Sequence, residues 1–348
     1  MSKSGNIGKK SASELKSRRK KTPSADEMMK GILRGDQPML ARAITLVEST
    51  NPEHQEKAYE IIEQSLLHKN DTLRIGITGV PGVGKSTFIE SFGSMLTGMG
   101  KKVAVLAVDP TSTVSKGSIL GDKTRMPHLV NDSNAFIRPS PSGESLGGVA
   151  RKTRESIILC EAAGYDVILV ETVGVGQSET AVHSMVDFFL LLKLSGAGDE
   201  LQGIKRGIVE MADAIVINKA EGNNIKRAER ARSEFERALH LYPPKESEWS
   251  PKVLTCSSLN GSGIPEIWQM INAFAIQSKE SGYFKSNRQD QNTYWFHQTV
   301  ESLLQRQFYR QPSVKKAMAP LQKAVEELKI SPFRAAEQLL EAYSKGLK

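Results

Sequence analysis

The stretch Gly79-Val80-Pro81-Gly82-Val83-Gly84-Lys85-Ser86 decides the fold, because it satisfies the pattern G-x-x-x-x-G-K-[ST] at every fixed position. The apolar run Leu73–Thr78 before it predicts a buried strand, and Thr87–Phe92 after it predicts a helix. In this setting backbone N–H groups surround phosphate oxygens, Lys85 reaches the β- and γ-phosphates, and the Ser86 hydroxyl can bind Mg²⁺. We therefore predict a nucleoside triphosphate site whose contacts come from Gly79, Val80, Pro81, Gly82, Val83, Gly84, Lys85, Ser86 and Thr87.

The length and composition are those of a globular protein with one large nucleotide-binding domain and helical additions. The 348 residues are enough to bury a sizeable core. No apolar run of about 18 residues predicts a membrane span, and the first residues lead into no signal sequence. Cys160 and Cys256 are predicted to be free thiols, which is typical of a reducing compartment. We expect a cytoplasmic protein without a membrane partner.

The positive charge of the chain is concentrated at its start. The net charge is +8, yet residues 1–22 carry eight Lys and Arg side chains against a single acid, Glu14. The remaining chain is close to neutral, so the composition does not predict a nucleic-acid partner. A Ser- and Lys-rich, apolar-poor segment is typical of a disordered tail, which we assign to residues 1–23. A specific anionic partner and a mitochondrial presequence remain as alternatives.

Strand and helix signals alternate through the middle of the chain. Residues 24–70 predict a helical segment, with Ser24 as an N-cap and a third helix over His54–His68. Residues 71–282 predict an α/β domain with a mainly parallel sheet flanked by helices. Residues 283–348 predict further helices. After the strand before the phosphate loop, the predicted strands are Val103–Val108, Ala135–Arg138, Val167–Val170, Ala214–Ile217 and Lys252–Thr255.

Polar residues follow these strands at the edge where ligands of parallel sheets collect. Glu171 follows one strand and is predicted to hold Mg²⁺ through water, while Gly174 is placed to contact the γ-phosphate. Asp109 ends another strand and is a second candidate for the metal or the attacking water. Asp122 is equally consistent with that role and with an ordinary loop carboxylate. The glycine-rich stretch Ser195–Gly207 is predicted to move.

Two further elements predict the base that is bound. Asn218-Lys219-Ala220-Glu221 approximates the N-K-x-D element that reads guanine, in which a carboxylate accepts from the ring N1–H and the exocyclic amine. Adenine lacks those donors and leaves the carboxylate unpaired. Downstream, Ser257, Ser258 and Leu259 belong to an S-x-x-x-G-x-G loop of the kind that covers the base. The sequence therefore predicts GTP or GDP as the ligand.

Five stretches together carry a family resemblance: Ala41–Glu48, Gly79–Thr87, Val108–Ser112, Glu171–Glu179 and Asn218–Glu221. With them the chain closely resembles the MeaB/ArgK family of P-loop GTPases from about residue 26 to beyond residue 340. That resemblance implies an Mg²⁺-dependent GTP-hydrolysing chaperone of an adenosylcobalamin-dependent acyl-CoA mutase, chiefly methylmalonyl-CoA mutase, which gates cofactor loading and protects the mutase. It also implies a homodimer formed through the C-terminal helices, here 283–348.

The same resemblance implies roles for individual residues. Hydrolysis is assigned to Lys85, Asp109, Asp122 and Glu171, the metal to Ser86, Asp109 and Glu171, and a third switch to Asp199 and Lys205. The departure from the family pattern is Glu221, which stands where Asp is usual and lengthens the base-reading side chain by one methylene.

Three alternatives share the phosphate loop. One is a kinase linked to basic amino-acid transport, although no acceptor-binding element is evident. Another is a metal-insertion GTPase for nickel enzymes, which predicts His or Cys clusters that the scattered histidines do not form. The third is a nucleotide-dependent adaptor that does not hydrolyse its ligand. Within the leading hypothesis, methylmalonyl-, isobutyryl- and ethylmalonyl-CoA mutases all remain possible partners.

Overall fold

Parallel strands form the centre of the molecule. The computed structural model describes residues 23–68, 70–108, 125–139, 146–172, 177–195 and 206–346. Within them one sheet has the order β3-β2-β4-β1-β5-β6-β7, with every pairing parallel. The strands are β1 (Leu73–Gly79), β2 (Val103–Val108), β3 (Ala135–Arg138), β4 (Val167–Thr172), β5 (Phe188–Leu194), β6 (Ala214–Asn218) and β7 (Lys252–Thr255). The predicted α/β class with a mainly parallel sheet is confirmed.

Strand β5 is missing from the set of strands that the sequence predicts. It lies between β1 and β6, where Leu192 pairs with Gly79 at the start of the phosphate loop. Its run of Phe and Leu shows no alternation, so periodicity alone does not distinguish a buried strand from a buried helix. The structure explains the run, because β5 is covered on both faces as strands of parallel sheets are.

Helices precede, connect and follow the strands. The first group is α1 (Ala25–Leu33), α2 (Gln37–Val47) and α3 (Pro52–Ser65). Between strands lie α4 (Lys85–Gly98), α5 (Pro127–Asn131), α6 (Leu146–Ala162), α7 (Gln177–His183), α8 (Arg206–Met211) and α9 (Ile225–Leu239). After β7 come α10 (Ile264–Glu280), α11 (Tyr283–Arg310), α12 (Pro312–Glu326) and α13 (Pro332–Lys345). We call α11–α13 the C-terminal arm.

The first three helices pack against α6 on one face of the sheet. Ser24 caps α1 and forms a reciprocal capping box with Glu27, as the sequence predicts. Helix α3 begins at Pro52, two residues before the predicted start. Met28, Ile32, Leu40, Ile44 and Ile61 from these helices enter a core shared with β2 and β4. The segment is therefore built onto the nucleotide domain.

Helices α4 and α10 cover the opposite face. Phe88 and Phe92 of α4 stack with ring centroids 5.4 Å apart, and Phe188 of β5 meets Phe274 of α10 edge to face at 5.0 Å. All four rings are buried, which stabilises the helix that begins at the phosphate loop.

The C-terminal arm extends from α10 as three helices. The predicted apolar stretch Ala317–Leu340 is divided between α12 and α13, and Leu328 adopts a left-handed backbone at the break. The arm exposes several large apolar side chains, namely Tyr294, Phe296, Leu303, Leu304, Tyr309, Phe333 and Leu340. Both cysteines are buried and unpaired, as predicted. No helix in the described part of the chain is long and apolar enough to cross a membrane.

Candidate active site

The phosphate loop joins β1 to α4, and its glycines are required by the local geometry. Gly82 and Gly84 have positive φ values of 81° and 95°, which side chains other than glycine rarely adopt. A Cβ atom on Gly79 would lie 2.5 Å from the Leu192 carbonyl oxygen, and one on Gly84 would lie 2.9 Å from Asn218 Nδ2. The loop is thus packed between β5 and the carboxyl end of β6.

Lys85 lies inside the curve of this loop. Its ammonium donates to the Gly79 carbonyl at 2.7 Å and to the Val80 carbonyl at 3.4 Å. Burial lowers the pKa of Lys85 below its ordinary value, and the negative charges of Glu171 and Glu179 oppose part of that shift. The two carboxylates therefore favour the charged form of a partly buried ammonium where phosphates are expected.

The candidate metal ligands within the described structure are Ser86 and Glu171. Ser86 is in the first turn of α4, and Glu171 lies on β4 opposite Ile77 of β1. Beside them, the buried Thr172 hydroxyl donates to the Thr78 hydroxyl at 2.8 Å and joins the ends of the two strands. Five predicted residues lie outside the described residues: Asp109, Asp122, Gly174, Asp199 and Lys205.

These donors suit Mg²⁺ more than a softer metal. A hydroxyl and a carboxylate are hard oxygen ligands, and Mg²⁺ in nucleotide sites takes one or two such ligands together with phosphate oxygens. No group of three or more His, Cys, Asp or Glu side chains among the described residues is arranged to hold a metal ion. That observation gives no support to the nickel alternative within this part of the chain.

The base-side residues form one connected network. Asn218 donates through Nδ2 to the Val83 carbonyl at 2.9 Å, and its Oδ1 accepts from the Ser258 hydroxyl at 2.7 Å. Lys219, with a positive φ of 60°, donates through Nζ to the Gly82 carbonyl at 2.9 Å. The structure thereby brings the phosphate loop, Asn218-Lys219 and the Ser258 loop together.

Glu221 and Leu259 complete this side of the site. Glu221 Oε2 is buried and has no hydrogen-bond partner among the described residues. An unpaired carboxylate oxygen is costly, so the atom suits a ligand that brings N–H donors. Guanine offers two such donors, whereas the adenine edge does not. Leu259 is 79% exposed, in keeping with a cover over a base, while Ser257 is buried and accepts from the Asn260 N–H at 3.4 Å.

Comparison with known proteins identifies the family. A family model described as "Methylmalonyl Co-A mutase-associated GTPase MeaB" matches residues 40–313. The chain belongs to the MeaB family of GTPases. It is 48% identical over 318 residues to a probable GTPase of Mycobacterium tuberculosis, covering 91% of this chain and 95% of that protein. It is 46% identical over 328 residues to the mitochondrial methylmalonic aciduria type A homolog of Mus musculus, covering 91% and 79% respectively.

A solved structure supports the same assignment. It is described as a LAO/AO transport system kinase, is 40% identical, and superposes with a TM-score of 0.72 over 91% of this chain and 96% of that one. As a member of the MeaB family, the chain is a P-loop GTPase that binds guanine nucleotide. The predicted family and enzyme class are confirmed.

The MeaB-family site contains a carboxylate to which the sequence analysis gives no role. Glu179 is 1% exposed in the first turn of α7, and its charge acts on Lys85. The available signal was its position at the end of the Glu171–Glu179 run. Nothing in that local pattern shows that α7 places it near the phosphate loop, because this depends on how α7 packs on the sheet.

One cavity lies beside this site and a larger one lies away from it. A cavity of about 770 Å³ is lined by Thr87, Glu90, Ser258 and Leu259 and adjoins the base side. A larger one of about 1300 Å³ lies near the amino ends of β5–β7, against α7–α9. Nucleotide chemistry belongs to the opposite, carboxyl edge of the sheet, where the phosphate loop is. Cavity size therefore does not mark the nucleotide site in this fold.

Proposed function

We propose that this GTPase is the chaperone of an adenosylcobalamin-dependent acyl-CoA mutase of the methylmalonyl-CoA type, gating cofactor loading and protecting the mutase. The observation that carries the proposal is the family model, which is described by its association with that mutase and matches residues 40–313. The name of the mouse relative, methylmalonic aciduria type A homolog, points to the same metabolism. Hydrolysis is proposed to depend on Mg²⁺.

In this proposal the phosphate loop positions GTP and neutralises its charge. The backbone N–H groups of Gly82 and Gly84 and the ammonium of Lys85 bind the phosphates, so charge that develops during attack of water on the γ-phosphorus meets fixed positive groups. Mg²⁺ supplies further charge neutralisation when it is held by Ser86 and Glu171. Asp109 and Asp122 are proposed to complete the metal and water positions.

Guanine is proposed to bind between Lys219 and Leu259, with its N1–H and exocyclic amine donating to Glu221. The buried, unpaired Oε2 supports this assignment, because the ligand would supply the donor that the described residues do not. Asn218 contributes by holding the base loop against the phosphate loop rather than by touching the base. Glu therefore replaces Asp without loss of a carboxylate in the pocket.

The homodimer is proposed to form through the C-terminal arm. The arm exposes Phe296, Leu304, Phe333 and other apolar side chains that the remainder of the described chain leaves uncovered. Exposed apolar surface of this kind is typical of protein interfaces. Asp199 and Lys205 are proposed to belong to the region that communicates with the mutase.

The decisive experiment measures GTP and ATP hydrolysis with Mg²⁺, alone and with a cobalamin-dependent acyl-CoA mutase from the same source. We expect selective GTP hydrolysis that the mutase accelerates. Lys85→Ala removes the charge inside the phosphate loop and is expected to abolish hydrolysis in both conditions. Equal rates with and without the mutase would contradict the chaperone proposal, while loss of GTP selectivity would contradict the role of Glu221.

A second candidate is phosphate transfer to a protein, because the solved relative is described as a transport-system kinase. The two reactions differ in where the γ-phosphate goes. With γ-labelled GTP, the proposed GTPase releases all label as inorganic phosphate, whereas a kinase leaves label on an acceptor. Label retained on a transport-system protein in proportion to GTP consumed would favour the kinase.

A further inference from the structure

One face of helix α11 contacts the short connection between α7 and β5. We call this connection, Ser184–Asp187, the α7–β5 turn. The side chains that contact it are Arg288, Gln291 and Trp295, whose spacing of three and four residues puts them on one face of the helix. Gln291 and Trp295 are the buried residues of α11, so this face is its attachment to the GTPase core.

Two of the contacts are hydrogen bonds to backbone carbonyls of the turn. The indole Nε1 of Trp295 donates to the Ser184 carbonyl at 3.0 Å. The amide Nε2 of Gln291 donates to the Val186 carbonyl at 2.7 Å. Backbone carbonyls cannot rotate away from these donors as side chains can. The two bonds therefore fix the path of the chain as it leaves α7 and enters β5.

The third contact also reaches β1. Arg288 donates from Nε and Nη2 to the two carboxylate oxygens of Asp187, each at 2.7 Å, and Nη2 also donates to the Thr72 carbonyl at 2.7 Å. Asp187 in turn accepts from the Arg74 N–H at 2.8 Å. The Asp187 side chain is 1% exposed, and a buried bidentate ion pair of this kind has a narrowly defined geometry. Arg288 thus holds the starts of β1 and β5 together.

The elements that α11 contacts near the turn, β1, β5 and α7, also contribute to the phosphate site. β1 runs into Gly79, and β5 runs beside it so that the Leu192 carbonyl packs against Gly79. Helix α7, which ends at the turn, carries Glu179, whose charge acts on Lys85. Strands of seven residues are stiff over a length of roughly 20 Å. Three elements, β1, β5 and α7, therefore connect the α7–β5 turn with the phosphate site.

We propose that Arg288, Gln291 and Trp295 are positioning residues for GTP hydrolysis, through which the C-terminal arm sets the geometry of the phosphate site from the opposite edge of the sheet. The proposal rests on the GTPase activity and not on the mutase as partner. The arm then has a role in GTP turnover within each protomer, in addition to its proposed role in dimer formation.

The test uses the full chain with Trp295→Phe and, separately, Arg288→Lys. The first keeps an aromatic ring but removes the indole N–H donor, and the second keeps the charge but removes the forked geometry. We measure single-turnover GTP hydrolysis, the KM for GTP, the thermal midpoint and the mass in solution. The expected result is a change of about 2- to 30-fold in the single-turnover rate constant, the range of coupling through packed networks. KM and mass are expected to change little.

Two controls separate positioning from stability. Gln289→Ala alters an exposed neighbour on the same helix and is expected to leave the rate constant unchanged. Ile44→Ala destabilises the same core at α2, an element that makes none of the three α11 contacts with the turn, and it is expected to lower the thermal midpoint without changing the rate constant. Rate constants for Trp295→Phe and Arg288→Lys within twofold of wild type would overturn the proposal, whatever happens to their thermal midpoints.

Discussion

Glu221 differs from the Asp of the family pattern by one methylene group, and in the proposed site it still supplies a carboxylate. The carboxylate is still delivered to the base side, where one of its oxygens is buried without a partner among the described residues. The extra methylene is accommodated because the backbone is set by its neighbours: Asn218 is tied to Val83 and Ala220 N–H donates to the Cys256 carbonyl at 2.9 Å. In the proposed function, selectivity for guanine depends on the carboxylate rather than on the side-chain length.

Replacing Glu221 by Ala is expected to weaken GTP binding by about 10- to 150-fold, because hydrogen bonds to a charged group contribute roughly 1.5–3 kcal/mol. Inosine triphosphate lacks the exocyclic amine of GTP and reports on that contact. The wild-type preference for GTP over inosine triphosphate should disappear in the variant. Competition binding with both nucleotides measures the effect. An unchanged preference would show that Glu221 does not accept from the amine.

Lys85 predicts a pH dependence. The ammonium binds phosphate only while it is protonated, so kcat/KM should fall as pH rises through its pKa in the free enzyme. Burial places that pKa below the ordinary lysine value, and Glu171 and Glu179 raise it again in part. Glu179→Gln removes one raising charge, so the alkaline limb should move to lower pH. A limb that stays in place or moves to higher pH would contradict this assignment.

At the scale of elements, the sequence predicts best where a local pattern carries the information. The phosphate loop with its flanking strand and helix, the Ser24 cap and six strands are each specified by a few adjacent residues. Strand β5 was missed because its continuous apolar run gives no periodicity. The proximity of Glu179 on α7 to Lys85 is likewise not predicted, since it depends on packing between distant segments.

The first three helices make a stability prediction at this scale. Ile44 of α2 is fully buried in the core that these helices share with the sheet. Ile44→Ala should lower the free energy of unfolding by about 2–5 kcal/mol, through lost transfer energy and a residual cavity. Leu33 of α1 is 43% exposed, so Leu33→Ala is the matched control with a much smaller effect. Urea denaturation measures both, and equal losses would contradict the burial difference.

At the scale of the whole molecule, long-range contacts decide how the arm meets the core. Arg288 and Asp187 are 101 residues apart in sequence, and neither lies in a motif. Their pairing follows from the strand order and the direction of α11, which periodicity does not encode. The sequence therefore predicts the existence of C-terminal helices but not the face by which they are attached.

The exposed apolar side chains of the C-terminal arm predict that the protein is a dimer. Light scattering should give twice the 38.2 kDa mass of one chain. Charges placed in an apolar interface are strongly disfavoured, so Phe296→Glu combined with Phe333→Glu should give a monomer. Tyr59→Glu introduces a charge at an exposed position of α3 and should leave the dimer intact. A wild-type monomer, or a variant that remains dimeric, would contradict assembly through this surface.

The labelling of the two buried thiols can report how often the folded protein opens locally. Cys160 is a buried residue of α6, and Cys256 lies in the core of the other sheet face, beside Asn218. Burial raises the pKa of both thiols, that of Cys256 to about 12, so an electrophilic label finds little thiolate in the closed protein. The labelling rate at each cysteine then measures how often that side of the sheet opens. GTP should slow the labelling of Cys256 more than that of Cys160. The ratio of the two labelling rates therefore reports nucleotide binding within one molecule.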